Sequence, residues 1–244
     1  MTNGTEANKE MNPMIDAMFK AGAHFAYSKT RRHPSAKPFI FGVKNRVEIF
    51  DLEKTVEQLN IAKDYVRSLG EAGTVLLFVG GKNEAKDAIK AGADVIGMPY
   101  VAGRWIGGTL TNFSAIRGRV EKMEDLISKR EKGELAKYTK KERLIIDREI
   151  DKLKEMFSGL SKLKSAPKAL FIIDAKREHN ALAEANTINI PVVSLSGSDC
   201  DLTAVKYAIP ANDSALRSVK LFVDEIVGAY REGVALAAKK KLVA

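Results

Sequence analysis

The sequence predicts an α/β protein in which helices flank a parallel sheet and an antiparallel coiled-coil helical hairpin protrudes. Short continuous apolar runs bounded by turn residues, such as Val75-Leu76-Leu77-Phe78-Val79, have the pattern of strands covered on both faces. Stretches of helical spacing lie between those runs, and this alternation calls for crossover helices. Two charge-rich, heptad-spaced segments then follow one another and interrupt the alternation.

Taken in order, Met1 to Glu10 are polar with no basic start and apolar stretch, so residues 1–11 read as a loose tail rather than a leader. Asn12-Pro13 opens a helix whose apolar face is Met14, Met18 and Ala21, and Gly22 ends it. Phe39-Ile40-Phe41 and Val47 to Phe50 form a hairpin around Gly42 to Arg46. Asp51 caps a helix carrying Leu52, Val56, Leu59, Val66 and Leu69, which stops at Gly70. Three further runs resemble Val75 to Val79: Val95-Ile96 with Tyr100-Val101, Ala169 to Ile173, and Val192 to Leu195. Glu84 to Ala91 and His179 to Ile188 supply crossover helices.

The hairpin is written in Phe113, Ile116, Val120, Met123 and Ile127, spaced three, four, three and four apart, answered by Ile146, Ile150, Leu153, Phe157 and Leu160. Gly133 interrupts, and Thr139 to Glu142 has the form of a capping box that restarts the chain as a helix. From Ile116 to Lys164, fifteen Lys or Arg face ten Asp or Glu, over half of the chain's +9. So charged a pair of helices is expected to close its narrow seam on itself and stand off the body. The expected organisation is a body of residues 12–108 and 165–236, a hairpin of 109–164, and a basic tail of 237–244 with Lys239-Lys240-Lys241.

Of 244 residues, 45% are hydrophobic and 29% charged, which fits a soluble globular chain and excludes a disordered polyampholyte. An excess of cations favours a polyanionic partner. One cysteine, Cys200, cannot form an internal disulfide, so the cytoplasm is the expected compartment. His24, His33 and His179 lie far apart, with no HExxH pair and no Cys/His cluster, so neither a metal nor a cofactor is expected. No GxSxG elbow is present, and Cys200 sits between Asp199 and Asp201 rather than among cations. Val79 to Glu84 leads from a strand through Gly80-Gly81 into a helix, as phosphate sites do, yet lacks both GxxxxGK[ST] and GxGxxG. A tight turn accounts for those glycines equally well.

The cations themselves cluster. Lys29, Arg31, Arg32, His33, Lys37, Lys44 and Arg46 fall within eighteen positions, interleaved with Tyr27, Phe39 and Phe41. Arg104, Trp105, Arg117 and Arg119 gather around the hairpin root. Cations hold phosphates in RNA recognition, so both groups are candidate RNA-binding residues, with Tyr27, Phe39 and Phe41 assigned to the core.

Several motifs together resemble the bacterial-type small-subunit ribosomal protein S-two family. They include Gly22-Ala23-His24-Phe25, Arg31-Arg32-His33-Pro34, Lys37-Pro38-Phe39-Ile40-Phe41-Gly42 and Ile49-Phe50-Asp51-Leu52-Glu53-Lys54-Thr55. Gly97-Met98-Pro99-Tyr100-Val101, Ile190-Pro191-Val192-Val193 and Asn212-Asp213 follow in the same order. The most specific is Arg104-Trp105-Ile106-Gly107-Gly108-Thr109-Leu110-Thr111-Asn112-Phe113. The chain departs from the family's usual Gly-His at Ala26-Tyr27, from Gly at Asn189, and from Asp-Thr-Asn-Cys-Asp in the loop Ser196 to Asp201.

The resemblance implies a flavodoxin-like parallel sheet with a protruding coiled coil, and a structural component of the small ribosomal subunit without catalysis. It further implies small-subunit, 16S-type rRNA and neighbouring ribosomal proteins as partners, with protein S-one anchored nearby, and neither a membrane nor a small-molecule substrate. The alternative reading is a flavodoxin-like enzyme or sensor binding a sugar phosphate or nucleotide at Gly80-Gly81, with Asp174 and Ser194 as its polar groups.

Overall fold

A computed structural model describes residues 12–243, with side chains through Lys240, so the tail expected at residues 1–11 lies outside the described residues. The first helix, α1 (Pro13–Lys20), starts as the sequence indicates, with the Asn12 side chain accepting Met14 N–H. A 3-10 turn over Pro34–Phe39 leads into the antiparallel pair β1 (Ile40–Lys44) and β2 (Val47–Phe50). The loop between them is shorter than expected. Only Asn45 and Arg46 turn the chain, both at positive φ, as a tight two-residue hairpin requires. Next come α2 (Leu52–Glu71), capped by Asp51, then β3 (Leu76–Val79), α3 (Asn83–Val95) and β4 (Tyr100–Val101). Val95-Ile96, read as part of a strand, instead closes α3. Met98 N–H returns to the Ala93 carbonyl there, and only two residues remain to pair with β3.

The helices α4 (Phe113–Glu131) and α5 (Lys140–Phe157) follow, with the Thr139–Glu142 capping box formed in both directions. The chain then continues through β5 (Ala169–Ile173), α6 (His179–Thr187), β6 (Val192–Ser196), β7 (Tyr207–Pro210) and α7 (Leu216–Val243). The sheet is parallel in the order β4-β3-β5-β6-β7. Its direction of winding reverses between β3 and β5, which is the flavodoxin-like arrangement.

Alternation along the strands divides the core in two. Leu76 and Phe78, with Ala169, Phe171 and Ile173, face α2, α3 and α7. Leu77 and Val79, with Leu170 and Ile172, face α6 and the feet of α4 and α5. That second cluster includes Ile116, Val120, Met123, Leu153 and Phe157, so the lower seam of the helix pair is part of the body's core, contrary to the expectation that it closes on itself alone. Lys122 and Glu149, and Arg130 and Asp147, pair across the two helices farther out. Residues 237–243, expected as a tail, continue α7, and Lys240 reaches Glu71 at 2.9 Å.

Helices α2 and α7 approach so closely that two glycines are obligatory. A Cβ on Gly70 would lie 2.3 Å from the Tyr230 carbonyl oxygen, and one on Gly233 would lie 2.1 Å from that of Arg67. Gly228, five residues earlier and on another face of α7, faces open space. Gly233→Ala is therefore expected to cost about 1–3 kcal/mol through forced separation of the helices. Gly228→Ala should instead gain up to about 1 kcal/mol of helix propensity. Urea unfolding of the two variants beside the parent checks the difference in sign.

Candidate nucleic-acid interface

Where the sheet reverses direction, doubly wound proteins bind ligands beyond the strand ends. Here that position is filled by the chain's own charges. Lys82, just before α3, places its Nζ 2.9 Å from Asp174 Oδ2 at the end of β5 and 3.3 Å from Asp213 Oδ1 in the loop before α7. Its third partner is Ser214 Oγ at 2.9 Å, and the Tyr27 hydroxyl also meets that oxygen, at 2.8 Å. Asp174 has φ +66°, a strained conformation for a non-glycine residue, and its Oδ1 accepts the Arg177 N–H at 3.0 Å.

Burial raises a carboxyl and opposite charge lowers it, and the two aspartates resolve this contest differently. Asp174 is held below its ordinary value because Lys82 and the Arg177 N–H outweigh desolvation. In Asp213 desolvation wins, reinforced by the charge of Asp174, and its carboxyl is pushed up to about 6. Asp174, Asp213 and Cys200 have ligand-type atoms within 4.8 Å of one another, and the cation between the two carboxylates is Lys82. Burial and the two aspartates push the Cys200 thiol up to about 12, so it is no nucleophile.

The glycines of the supposed phosphate turn are explained by packing. A Cβ on Gly80 would lie 2.9 Å from Ile89 Cγ1, and one on Gly81 would lie 2.6 Å from the Gly103 carbonyl oxygen. Glu178 Oε1 accepts the Gly81 N–H at 3.0 Å, placing a carboxylate where a bound phosphate would sit. Ser194, the other polar group of the alternative reading, is fully buried and paired with Ser196 Oγ at 2.8 Å.

The expected RNA-binding residues divide. Lys29, Arg31, Lys37, Lys44, Arg46, Arg104 and Arg119 are exposed. Arg31 lies over the Tyr27 ring, 4.3 Å from its centroid, and 3.6 Å from Asp199. Four others are committed within the fold. Arg32 Nη1 donates to buried Glu48 Oε1 at 2.6 Å, neutralising a carboxylate that β2 would otherwise bury alone. His33 caps the Pro34–Phe39 turn and meets Ser35 Oγ at 2.7 Å. Arg117 Nε donates to Glu121 Oε1 at 3.0 Å, one helical turn on. Phe41, assigned to the core, is 81% exposed and stands unpaired where the register of β1 with β2 shifts between Ile40 and Gly42.

Trp105 requires a correction of role. It is only 5% exposed, and its Nε1 donates to Glu184 Oε1 on α6 at 2.9 Å. That one carboxylate also accepts the N–H groups of Gly108 at 2.8 Å, Leu110 at 3.0 Å and Thr111 at 3.2 Å, together with the Thr111 hydroxyl at 3.2 Å. Gly108 supplies the φ of +89° that curls the loop around it. The Arg-Trp-x-Gly-Gly-x-Leu-Thr segment is thus a cradle for Glu184 at the root of α4. Glu184 went unremarked in the sequence because it lies over seventy residues from its donors; a buried indole N–H needing an acceptor was the available signal.

Burial alone would raise Glu184, but donors from Trp105, Leu110, Gly108 and Thr111 outweigh it and hold the carboxyl below its usual range. A carboxylate depressed in this way stabilises the fold above its unfolded-state value and loses that contribution as pH falls. Glu184→Gln is expected to cost about 2 kcal/mol at pH 7. The difference from the parent should shrink steadily below about pH 4.5, where an unfolded glutamate protonates. Denaturant unfolding across pH 3–7 measures both.

The model of the family described as ribosomal protein S2 matches residues 18–233. The chain is 43% identical over 219 residues to the small ribosomal subunit protein uS2 of Coprothermobacter proteolyticus, covering 90% of this chain and 82% of that one. Against the same-named protein of a Nitratiruptor species the identity is 42% over 216 residues, covering 88% and 81%. Against that of a Roseiflexus species it is 40% over 233 residues, covering 96% and 87%.

Proposed function

The chain belongs to the ribosomal protein S2 family, and from that premise we propose that it holds small-subunit rRNA through exposed cations, mainly those of the segment Lys29 to Arg46. Its role is that of a structural constituent of the small ribosomal subunit, a cytoplasmic particle, and it is not an enzyme. Among the described residues, no helix is long and apolar enough to cross a membrane.

The observation that supports rRNA contact most directly is the exposure of Lys29, Arg31, Lys37, Lys44 and Arg46 along one short stretch, with Arg104 and Arg119 near the helix pair. No base-reading module accompanies them, so contact runs mainly to phosphates, which position a protein without reading sequence. Helices α4 and α5 form the arm of this assembly, footed in the body by Ile116, Val120, Leu153 and Phe157. Neighbouring ribosomal proteins, protein S-one among them, make contact through apolar surface. An open groove of about 690 Å³ beside β1 and β2, lined by Phe19, Phe25, Phe41, Val43 and Ile49, supports that reading, since apolar patches of this kind mark protein contacts.

Phosphate contacts release counterions, so each contributes roughly −0.7 to −0.9 to the slope of log affinity against log salt. Lys29→Ala, Arg31→Ala and Lys37→Ala together should weaken association with small subunits stripped of this protein and flatten that slope by about 2. The melting temperature should hardly move, because exposed cations contribute little to folding. Arg32→Ala should do the reverse, lowering the melting temperature because it strands Glu48, with little change in slope. Parental slopes in the triple variant would remove these residues from the interface.

A further inference from the structure

A cleft of about 830 Å³ lies between α5 and the loops beyond β3, β4 and β5. Four cations line it from four separate stretches of chain: Lys86 on α3, Arg104 in the loop after β4, Lys152 on α5 and Arg177 in the loop after β5. Among the described residues none of the four takes part in a salt bridge, whereas Lys162 and Lys176 each have a carboxylate at 3.0 Å. Against them the cleft sets Glu155, exposed on α5, and Glu178, which is turned to the Gly81 N–H and raised in pKa by burial. Four unpaired cations thus face two carboxylates, one of them already engaged.

The walls are fixed rather than fluid. The Gly81 floor is locked against the Gly103 carbonyl, and the loop carrying Arg104 runs directly into the Glu184 cradle. The frame fixes where these cations are rooted, their unpaired side chains are open to an anion, and guanidinium forks match phosphate oxygens two at a time. Trp105 is nearly buried with its N–H already used, leaving little aromatic surface on which a base could stack.

We propose that this cleft is a second RNA-binding site, which grips the sugar-phosphate backbone of rRNA between α5 and the strand-end loops. The inference rests on the rRNA-binding reading and adds to it Lys86, Lys152 and Arg177, residues remote in sequence from Lys29 to Arg46. Because one wall is α5 and the other is the sheet, a backbone gripped here fixes the arm to the body in the assembled particle.

The test is the full-length variant carrying Lys86→Gln, Lys152→Gln and Arg177→Gln, set beside the Lys29, Arg31, Lys37 variant and the parent. Association with stripped small subunits is measured across a salt series, and each protein is melted as a folding control. The expected result is an unchanged melting temperature and a slope flattened by about 2. A parental slope in the cleft variant, with a flattened one in the Lys29, Arg31, Lys37 variant, overturns the cleft while leaving the rRNA reading intact. A parent that does not associate with the subunits overturns both. Calorimetry with inorganic pyrophosphate separates the remaining source of phosphate: saturable micromolar binding lost in the cleft variant would assign the cleft to a small free anion and overturn the RNA assignment.

Discussion

The ammonium of Lys82, lodged between Asp174 and Asp213, is the contact on which the arrangement of this molecule turns. It joins the end of β3 to the end of β5 across the reversal of the sheet, and reaches the loop that launches α7. Through Ser214 and Tyr27 it also touches the segment that carries the exposed cations. Removing Lys82 from this buried cluster costs about 3–5 kcal/mol, because the two aspartates are left beside each other without their cation. The same cluster fills the crevice in which related architectures bind nucleotides or sugar phosphates. On that side of the sheet reversal, a fold widely used for small-molecule chemistry is occupied by its own charges.

The second organising element works on the same principle. Glu184 draws five donors of one loop onto a single carboxylate, and that loop sets the point at which α4 leaves the body. Buried charge in this protein acts as a fastener between segments far apart in sequence, as Arg32 does again for Glu48. The apolar core need only supply the layers. Fasteners fix the angles between them, and a structural constituent of a ribonucleoprotein particle needs those angles held.

Much of this was legible from the sequence because it is local. Asn12, Asp51 and the Thr139–Glu142 box are read within three residues of themselves, and each caps a helix as expected. The alternation of apolar runs and helical spacing gave the parallel sheet. What escaped depends on long-range contact. β7 is four residues ending in proline, too short and too weakly patterned to stand out, and is a strand because β6 lies beside it. Val95-Ile96 has strand composition but is claimed by the last turn of α3. Trp105 and Arg32 carry the right chemistry for RNA, and their partners lie 79 and 16 residues away. Of the motif residues, the exposed cations could be named but not distinguished from the committed ones. The departures from the family pattern became intelligible in three dimensions. Asn189 sits at φ +57°, a conformation asparagine tolerates where glycine is usual, and the Tyr27 N–H donates to Ser198 Oγ at 3.0 Å, so two departures meet.

Cys200 follows from this architecture in a different way. A fully buried thiol, pushed up to about 12 by burial and by the charges of Asp174 and Asp213, stays protonated and out of reach in the folded chain. Alkylating reagents and peroxide find almost nothing to attack until the strand ends separate, and an ordinary cysteine then appears. The chain therefore contains its own clock for opening. The rate at which a thiol reagent modifies the free protein reports how often the loop after β6 uncovers Cys200, and any slowing of that rate on assembly reports how far the particle holds that loop shut.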